Sequence, residues 1–152
     1  FVRHHNIKYG GQFPIWVAVE LFTFGMLGSL FDLMRENDQR AVSREYNLSP
    51  ESLSRLIASA VDVRNICAHY NRLYNRVLDD QPLLPNRLRL YESDRLFPLL
   101  LAFAHILGRE RVLNRLITGL SLLEADFPEA DLSLCGFPED WHSILETEAA
   151  QS

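Results

Sequence analysis

The sequence has few of the residues that define several common protein classes. It contains only two cysteines, Cys67 and Cys135, which are too few for the disulfide framework of a small secreted domain. Its 7 glycines and 7 prolines, with a hydrophobic fraction of 47%, argue against a disordered or low-complexity chain. No glycine-rich loop of the type that holds the phosphates of ATP or NAD is present. We therefore expect an ordered protein in the reducing cytoplasm that uses no cofactor.

Lysine is almost absent, because Lys8 is the only lysine among 15 lysines and arginines. The net charge of -5 argues against a general nucleic-acid coat, since non-specific binding requires many neutralised phosphates. The basic residues are concentrated locally, however: residues 64 to 76 include three arginines and no carboxylate. The guanidinium group suits phosphate oxygens, so this stretch is a candidate phosphate site. The base composition of the genome explains the same arginine bias equally well.

The hydrophobic pattern predicts an all-α protein. No stretch alternates apolar and polar residues as a strand does, and no internal repeat is visible, so we expect a single helical domain over residues 1–152. Capping residues and apolar periodicity predict these elements: a helix over 15–34 opened by Pro14, a helix over 39–46 capped by Asp38, a long helix from Ser49 to Val77, a loop over 78–92, a helix capped by Ser93 or Asp94 and ended by Gly108, a helix over 110–124, and a last helix after Asp140.

The apolar stretch over residues 15–34 is long enough to cross a bilayer, which takes about 20 residues. Glu20 and Asp32 lie inside it, and a charge within a span is costly. We therefore expect a buried core helix and no membrane. Gly25 and Gly28 would let a neighbouring helix approach this one closely, or they mark a kink in it.

The most informative motif is Arg64-Asn65-Ile66-Cys67-Ala68-His69, which falls within the long predicted helix. Arginine carries a permanent, forked positive charge that fits phosphate oxygens, and histidine takes or releases a proton near neutral pH. A ribonuclease without a metal needs both groups. His69 would act as general base on a ribose 2′-hydroxyl, and Arg64 would stabilise the charge on the phosphate. Asn65 would orient a histidine or bind a phosphate oxygen.

On a continuous helix these residues separate into two faces. The apolar face, on which Cys67 is expected to be a buried free thiol, consists of Leu56, Val63, Ile66, Cys67, Tyr70, Leu73 and Tyr74. The polar stripe consists of Asp62, Asn65, His69, Arg72 and Arg76. Arg72 and Arg76 would guide the RNA backbone, although a solvated helix face is the simpler explanation of the stripe. Arg64 lies about 140° around the helix from His69, so either the long arginine reaches round or a second copy completes the site.

Further blocks stand around the motif in a fixed order: Phe1-Val2-Arg3-His4-His5, Lys8-Tyr9-Gly10-Gly11, residues 14–21, Phe24-Gly25, residues 63–69 and residues 71–76. With these blocks, and with the Arg-x4-6-His signature, the chain resembles the Abi-like (abortive infection) branch of the HEPN superfamily over roughly residues 1–98. Residues 99–152 show helices without a diagnostic motif. The resemblance implies an HEPN-like helical bundle. Because the sequence begins with Phe1 rather than Met, we expect that bundle to lack its N-terminal part.

The resemblance also implies an activity and partners. The expected activity is a metal-independent endoribonuclease of an abortive-infection or toxin system, which cleaves RNA to leave a 2′,3′-cyclic phosphate and a 5′-hydroxyl. HEPN proteins dimerise with their motifs facing each other, which implies a homodimer with a composite site. An antitoxin is a further expected partner. His4 and His5 fit the family pattern and would support the motif helix from beneath, and Glu20 would pair with an arginine such as Arg64.

Two other classes of protein remain open at this point. The arginine–histidine helix would also suit a non-catalytic module that binds RNA or a protein, or a structural dimer that buries the polar stripe. No metal site is expected, because His4 and His5 point apart on an extended chain and no cysteine or carboxylate stands at ligand spacing. His105 has apolar neighbours and is expected to be a core or helix-end histidine. Arg87 and Arg89 could contact RNA, but we expect them to be ordinary surface charges.

Overall fold

The computed structural model describes residues 2–12, 14–107 and 110–150, and every regular element within them is a helix. The α-helices are α1 (Val2–Tyr9), α2 (Ile15–Val19), α3 (Phe24–Leu33), α4 (Glu36–Arg44), α5 (Pro50–Ala68), α6 (Leu96–Leu107), α7 (Glu110–Asp126) and α8 (Trp141–Ala150). Two 3-10 helices cover Asn86–Tyr91 and Leu132–Cys135. The predicted all-α class is confirmed. The predicted helix end at Gly108 lies outside the described residues.

The apolar stretch over 15–34 is two helices rather than the predicted single one. α2 ends at Val19, and Thr23 begins α3 as its N-cap, with its side-chain oxygen accepting a hydrogen bond from the Met26 N–H at 3.3 Å. A β-branched hydroxyl residue inside an apolar run thus marks a new helix start. The predicted burial is also wrong, because Phe31 is the one buried side chain of α3. None of the helices in the described residues is long and apolar enough to cross a membrane.

Helix α3 packs closely on α5, as the two glycines predicted. A methyl group added at Gly28 would stand 3.0 Å from Cγ2 of Ile57, so only glycine permits this approach without displacement. The contact is extended by a hydrogen bond at 2.6 Å from the Ser54 hydroxyl to the Asp32 carboxylate. α3 is therefore fixed along one side of the helix that carries the motif.

Helix α4 begins earlier than the sequence suggested and supports α3. It spans Glu36–Arg44 instead of 39–46, so Asp38 lies in its first turn and is not its cap. The Gln39 side-chain amide donates to the backbone oxygens of Phe31 at 2.9 Å and Asp32 at 3.1 Å. These bonds help to satisfy the last carbonyls of α3, of which the Phe31 oxygen also accepts from the Met34 N–H at 3.1 Å.

Helix α5 begins as predicted and ends earlier. Ser49 is its N-cap, accepting from the Ser52 N–H at 3.0 Å, and Pro50 is its first residue. The helix ends at Ala68, whereas the sequence predicted continuation to Val77 because no glycine or proline intervenes. Everything beyond Ala68, including the second half of the predicted polar stripe, is therefore outside the helix.

The core lies between α5 and the C-terminal helices. Leu56 of α5 joins a buried cluster with residues from the 78–92 stretch, from α6 to α8 and from the connection between α7 and α8. Its large members include Leu84, Leu88, Phe97, Leu99, Leu101, Leu113, Phe137, Trp141, Ile144 and Leu145. The stretch 78–92 is not only a loop, because its 3-10 helix inserts Leu88 into this core.

Candidate nucleic-acid site at the end of helix α5

Helix α5, which carries the motif, ends in a C-cap followed by a residue in the left-handed conformation. His69 is the C-cap, and Tyr70, with φ of 55°, takes the left-handed conformation that follows it. The Tyr70 N–H donates to the Cys67 carbonyl at 3.1 Å, and the Asn71 N–H donates to the Ile66 carbonyl at 3.0 Å. This pair of bonds is a Schellman motif, which satisfies two of the last carbonyls of the helix. The turn presents His69 and Tyr70 at the tip of α5.

Arg64 and Asn65 form one unit. Arg64 is exposed, and its Nη1 donates a hydrogen bond to the Asn65 Oδ1 at 2.9 Å. Asn65 is half-buried. The amide oxygen therefore holds the guanidinium in this structure, and the two roles that the sequence suggested for Asn65, orienting a histidine or binding phosphate, stay predictions.

His69 is exposed, with its side chain open to solvent at the helix tip. The hydrogen bond that the structure gives Arg64 goes to Asn65 and not to His69. The two groups predicted to act on one phosphate thus occupy the same end of α5 without touching each other in the described contacts. Within one chain, the side chains of Arg64 and His69 therefore lie at the same helix end without a contact between them. A substrate or a second copy would have to bring the two groups together.

One flank of the motif is acidic. Asn65 lines a groove of about 350 Å³ between α3 and α5 whose walls include Asp32, Asp62, Asp79 and Asp80. Carboxylates repel a phosphodiester, so the groove does not suit an RNA backbone. Arg64, His69 and Arg72 are not among the residues that line this groove.

Arg72 and Arg76 follow the turn on a non-helical segment, and both are exposed. The segment is held at its far end, because Tyr74 Oη exchanges hydrogen bonds with the backbone of Asp131 at 3.0 and 3.3 Å. The Asn75 N–H donates to the Cys135 thiol at 3.4 Å. Arg72 therefore stands between the motif tip and a fixed anchor, within the same exposed stretch as His69.

The other predicted site residues lie away from this arrangement or differ from expectation. His4 is exposed on α1 and is not buried beneath α5, and the side chain of His5 lies outside the described residues. Glu20 is exposed at the end of α2, and no ion pair of the described residues joins it to Arg64. The predicted pairing of that carboxylate is therefore wrong.

The two cysteines lie in different environments. Cys67 was predicted to be buried and is exposed, because the apolar sector of α5 narrows to Leu56, Val63 and Ile66 near the helix end. Cys135 is buried and accepts the backbone bond that anchors the motif segment. Within the described residues, no group of His, Cys, Asp and Glu converges in a way that could hold a metal ion.

A charged cluster around the buried carboxylate of Glu148, which the sequence did not reveal, joins the 3-10 helix Asn86–Tyr91 to α6 and α8. The Arg87 guanidinium donates to the carboxylate of Glu148, whose side chain is 3% exposed, and a second Arg87 nitrogen lies 3.2 Å from His105 Nδ1. Since a guanidinium only donates, Nδ1 is the acceptor and the neutral ring carries its proton on Nε2. Arg87 is thus not ordinary surface charge. His105 is a half-buried helix residue, as expected.

The cluster makes stability depend on pH. Burial and the Arg87 charge lower the pKa of His105 from its ordinary value of 6.5, and Glu148 opposes them. As the pH falls, the unfolded chain therefore takes up a proton on His105 at a higher pH than the folded protein does. The stability that neutral His105 contributes to the folded protein is complete above about pH 6.5 and is lost as the pH falls through the lowered pKa. We expect the free energy of unfolding, measured in urea between pH 7.5 and 5.5, to fall more in the parent than in His105→Gln. Equal decreases in the two proteins would contradict this assignment.

These features define an all-α protein with an exposed arginine–histidine motif at the tip of a long helix. The sequence model of the family described as Abi-like protein matches residues 1–75, which include α1 to α5 and the segment up to its anchor at Asn75. Over this N-terminal part the chain therefore resembles an Abi-like protein, and that family suggests a role in abortive infection. Comparison with curated proteins and with solved structures finds no match.

The family match and the main buried cluster occupy largely different parts of the chain. The match ends at residue 75, whereas every residue of the main buried cluster except Leu56 lies at or beyond Leu84. Leu56 and the anchor at Asn75 connect the two parts. The C-terminal helices therefore supply the core on which the matched region rests.

Proposed function

We propose that the protein is a metal-independent endoribonuclease of the HEPN type, which acts in abortive infection as a cytoplasmic homodimer. The observation that carries this proposal is the tip of α5, where Arg64 and His69 are both exposed on the same helix end. These are the two groups that phosphodiester cleavage by an internal hydroxyl requires, one to hold charge and one to move a proton.

The reaction follows from the chemistry of these side chains. His69 accepts the proton of a ribose 2′-hydroxyl, and the 2′-oxygen forms a bond to the adjacent phosphorus. The bond from phosphorus to the 5′-oxygen breaks, and the leaving oxygen takes a proton from water or from a protonated histidine. Arg64 stabilises the additional negative charge on the phosphoryl oxygens. The products are a 2′,3′-cyclic phosphate and a 5′-hydroxyl.

The proposed homodimer completes the site. Arg64 is held by Asn65 and not directed at His69, so a two-fold arrangement in which Arg64 of one copy meets His69 of the other gives both groups access to one phosphate. Arg72 and Arg76 are exposed beyond the helix tip and would contact the backbone on either side. An antitoxin that covers the tip of α5 is the corresponding proposal for control.

The test is cleavage of total cellular RNA by the purified protein in EDTA, followed by analysis of the ends. A 5′-hydroxyl accepts phosphate from a kinase without prior dephosphorylation, and a cyclic phosphate blocks ligation of the 3′ end until it is opened. We expect both end types with RNA and no cleavage of DNA of the same sequence, because DNA lacks the attacking hydroxyl. RNA that is cut by the parent and equally by folded Arg64→Ala would identify a contaminating nuclease and defeat the proposal.

A second candidate is a module that binds RNA without cutting it. The observation in its favour is that Arg64 and His69 do not meet within one chain. Intact RNA in the cleavage assay, together with salt-dependent RNA binding that Arg72→Ala and Arg76→Ala each weaken, would select this function.

A further inference from the structure

Tyr70 occupies a position that folding alone does not favour. Its side chain is 98% exposed and its φ is 55°, a left-handed conformation in which the β-carbon of a tyrosine is crowded. The other two non-glycine residues with positive φ in the described chain are Asn47 and Asn75, which tolerate that conformation better. A large ring at this turn therefore costs stability and recovers nothing by packing.

A neighbouring tyrosine shows the contrast. Tyr74 lies four residues on, is 38% exposed, and bonds through its hydroxyl to the backbone of Asp131. This hydrogen bond explains why a tyrosine occupies position 74. Tyr70 directly follows the proposed base His69 and precedes Arg72 by two residues, and its ring is open to solvent.

We infer that Tyr70 is a substrate-binding residue, whose ring stacks on a base of single-stranded RNA next to the phosphate that Arg64 and His69 engage. The inference rests on the proposed function. A flat aromatic face stacks with any base, so it adds affinity without sequence preference and complements the phosphate contacts of the arginines. Strain that is retained at an exposed position beside a reactive group is typical of functional residues.

The experiment separates the ring from the turn. In the non-cleaving His69→Ala background, fluorescence anisotropy measures binding of a short labelled single-stranded RNA and of its abasic counterpart, which keeps the phosphates. Tyr70→Asn removes the ring and suits the left-handed turn, and Tyr70→Phe keeps the ring. We expect Tyr70→Asn to weaken binding of the intact RNA about tenfold, leave abasic RNA unaffected and melt no lower than its parent. Tyr70→Phe should bind as the parent does.

The outcomes distinguish this inference from the proposed function. Equal binding of intact RNA by the parent and by Tyr70→Asn would overturn the stacking role, and Tyr70 would then be left as a contact for a protein partner. This result would leave the proposed function standing if the protein with His69 intact cleaves RNA. An equal loss of affinity for intact and abasic RNA would overturn it too, because it would assign the effect to the turn. A protein that neither binds nor cleaves RNA would reject both proposals.

Discussion

His69→Ala is expected to lower the rate of RNA cleavage by about 10²–10⁴-fold, the usual contribution of a positioned general base or acid. The fold should not change, since the side chain is exposed and the helix end is closed by backbone bonds, including His69 N–H to the Asn65 carbonyl at 3.0 Å. Initial rates on a short RNA oligonucleotide, measured beside thermal melting, test both statements. A variant that melts like the parent and retains a tenth of its rate would remove His69 from the chemistry.

Arg64→Ala should lower the cleavage rate by about 10²–10³-fold, as expected when one group that stabilises transition-state charge is removed. Arg44→Ala is its matched control, because Arg44 is equally exposed but lies on α4. Loss of activity in both variants would point to general electrostatic attraction of RNA rather than to a site.

Mixing the two inactive variants tests whether the site is shared between copies. In a heterodimer of Arg64→Ala and His69→Ala, one composite site has neither group and the other has both. Statistical mixing should therefore restore up to about a quarter of the parent rate, since half of the dimers carry one intact site of two. A site built from one chain would stay inactive in every mixture, which would rule out the composite arrangement.

Local signals in the sequence were sufficient for the start of α5 and for the close contact between α3 and α5. Ser49 followed by Pro50 predicts the beginning of α5 because a hydroxyl cap and a fixed φ act within one turn. Gly28 similarly predicts the close approach of α3, since its missing side chain is needed at that contact. The Arg64–His69 motif could likewise be found as a string of residues.

The end of α5 could not be predicted, because its cause is tertiary. No glycine or proline marks Tyr70, and the turn there is followed by a segment whose backbone and side chains bond to Asp131 and Cys135, about 60 residues away in sequence. Those bonds favour a turn over continued helix. The exposure of Cys67 and the displacement of Arg72 from the predicted stripe both follow from this early end.

The cluster of Arg87, His105 and Glu148 was equally invisible, because its members come from three elements and match no motif. Arg87 and Glu148 are separated by 61 residues, and Glu148 looks like any polar residue of a surface helix. Only the packing of α8 against the core shows that this carboxylate is buried. The sequence shows which residues carry a charge, whereas burial decides how strongly each charge affects the free energy of unfolding.

Glu148→Lys is accordingly expected to destabilise the protein more than any of the substitutions at the tip of α5. It would place an ammonium group at a site that is 3% exposed and beside the Arg87 guanidinium, where both burial and like charge oppose it. We expect a loss of about 4 kcal/mol or more in the free energy of unfolding, a large part of the total for a domain of this size. Urea denaturation and thermal melting measure it.

Glu146→Lys is the matched control, because Glu146 lies on the same helix and is exposed, so the same change of charge should alter stability by only about 0.5 kcal/mol. Where Glu148→Lys does not fold, two milder variants keep the test measurable: Glu148→Gln, which should lose about 1–2 kcal/mol, and the charge exchange Arg87→Glu with Glu148→Lys, which should recover part of the loss. Equal melting of Glu146→Lys and Glu148→Lys would contradict the burial of this carboxylate. If the proposed function holds, cleavage should disappear together with the core in Glu148→Lys, whereas His69→Ala should lose cleavage with the core intact, because the C-terminal helices support the motif and the proposed chemistry takes place at the tip of α5.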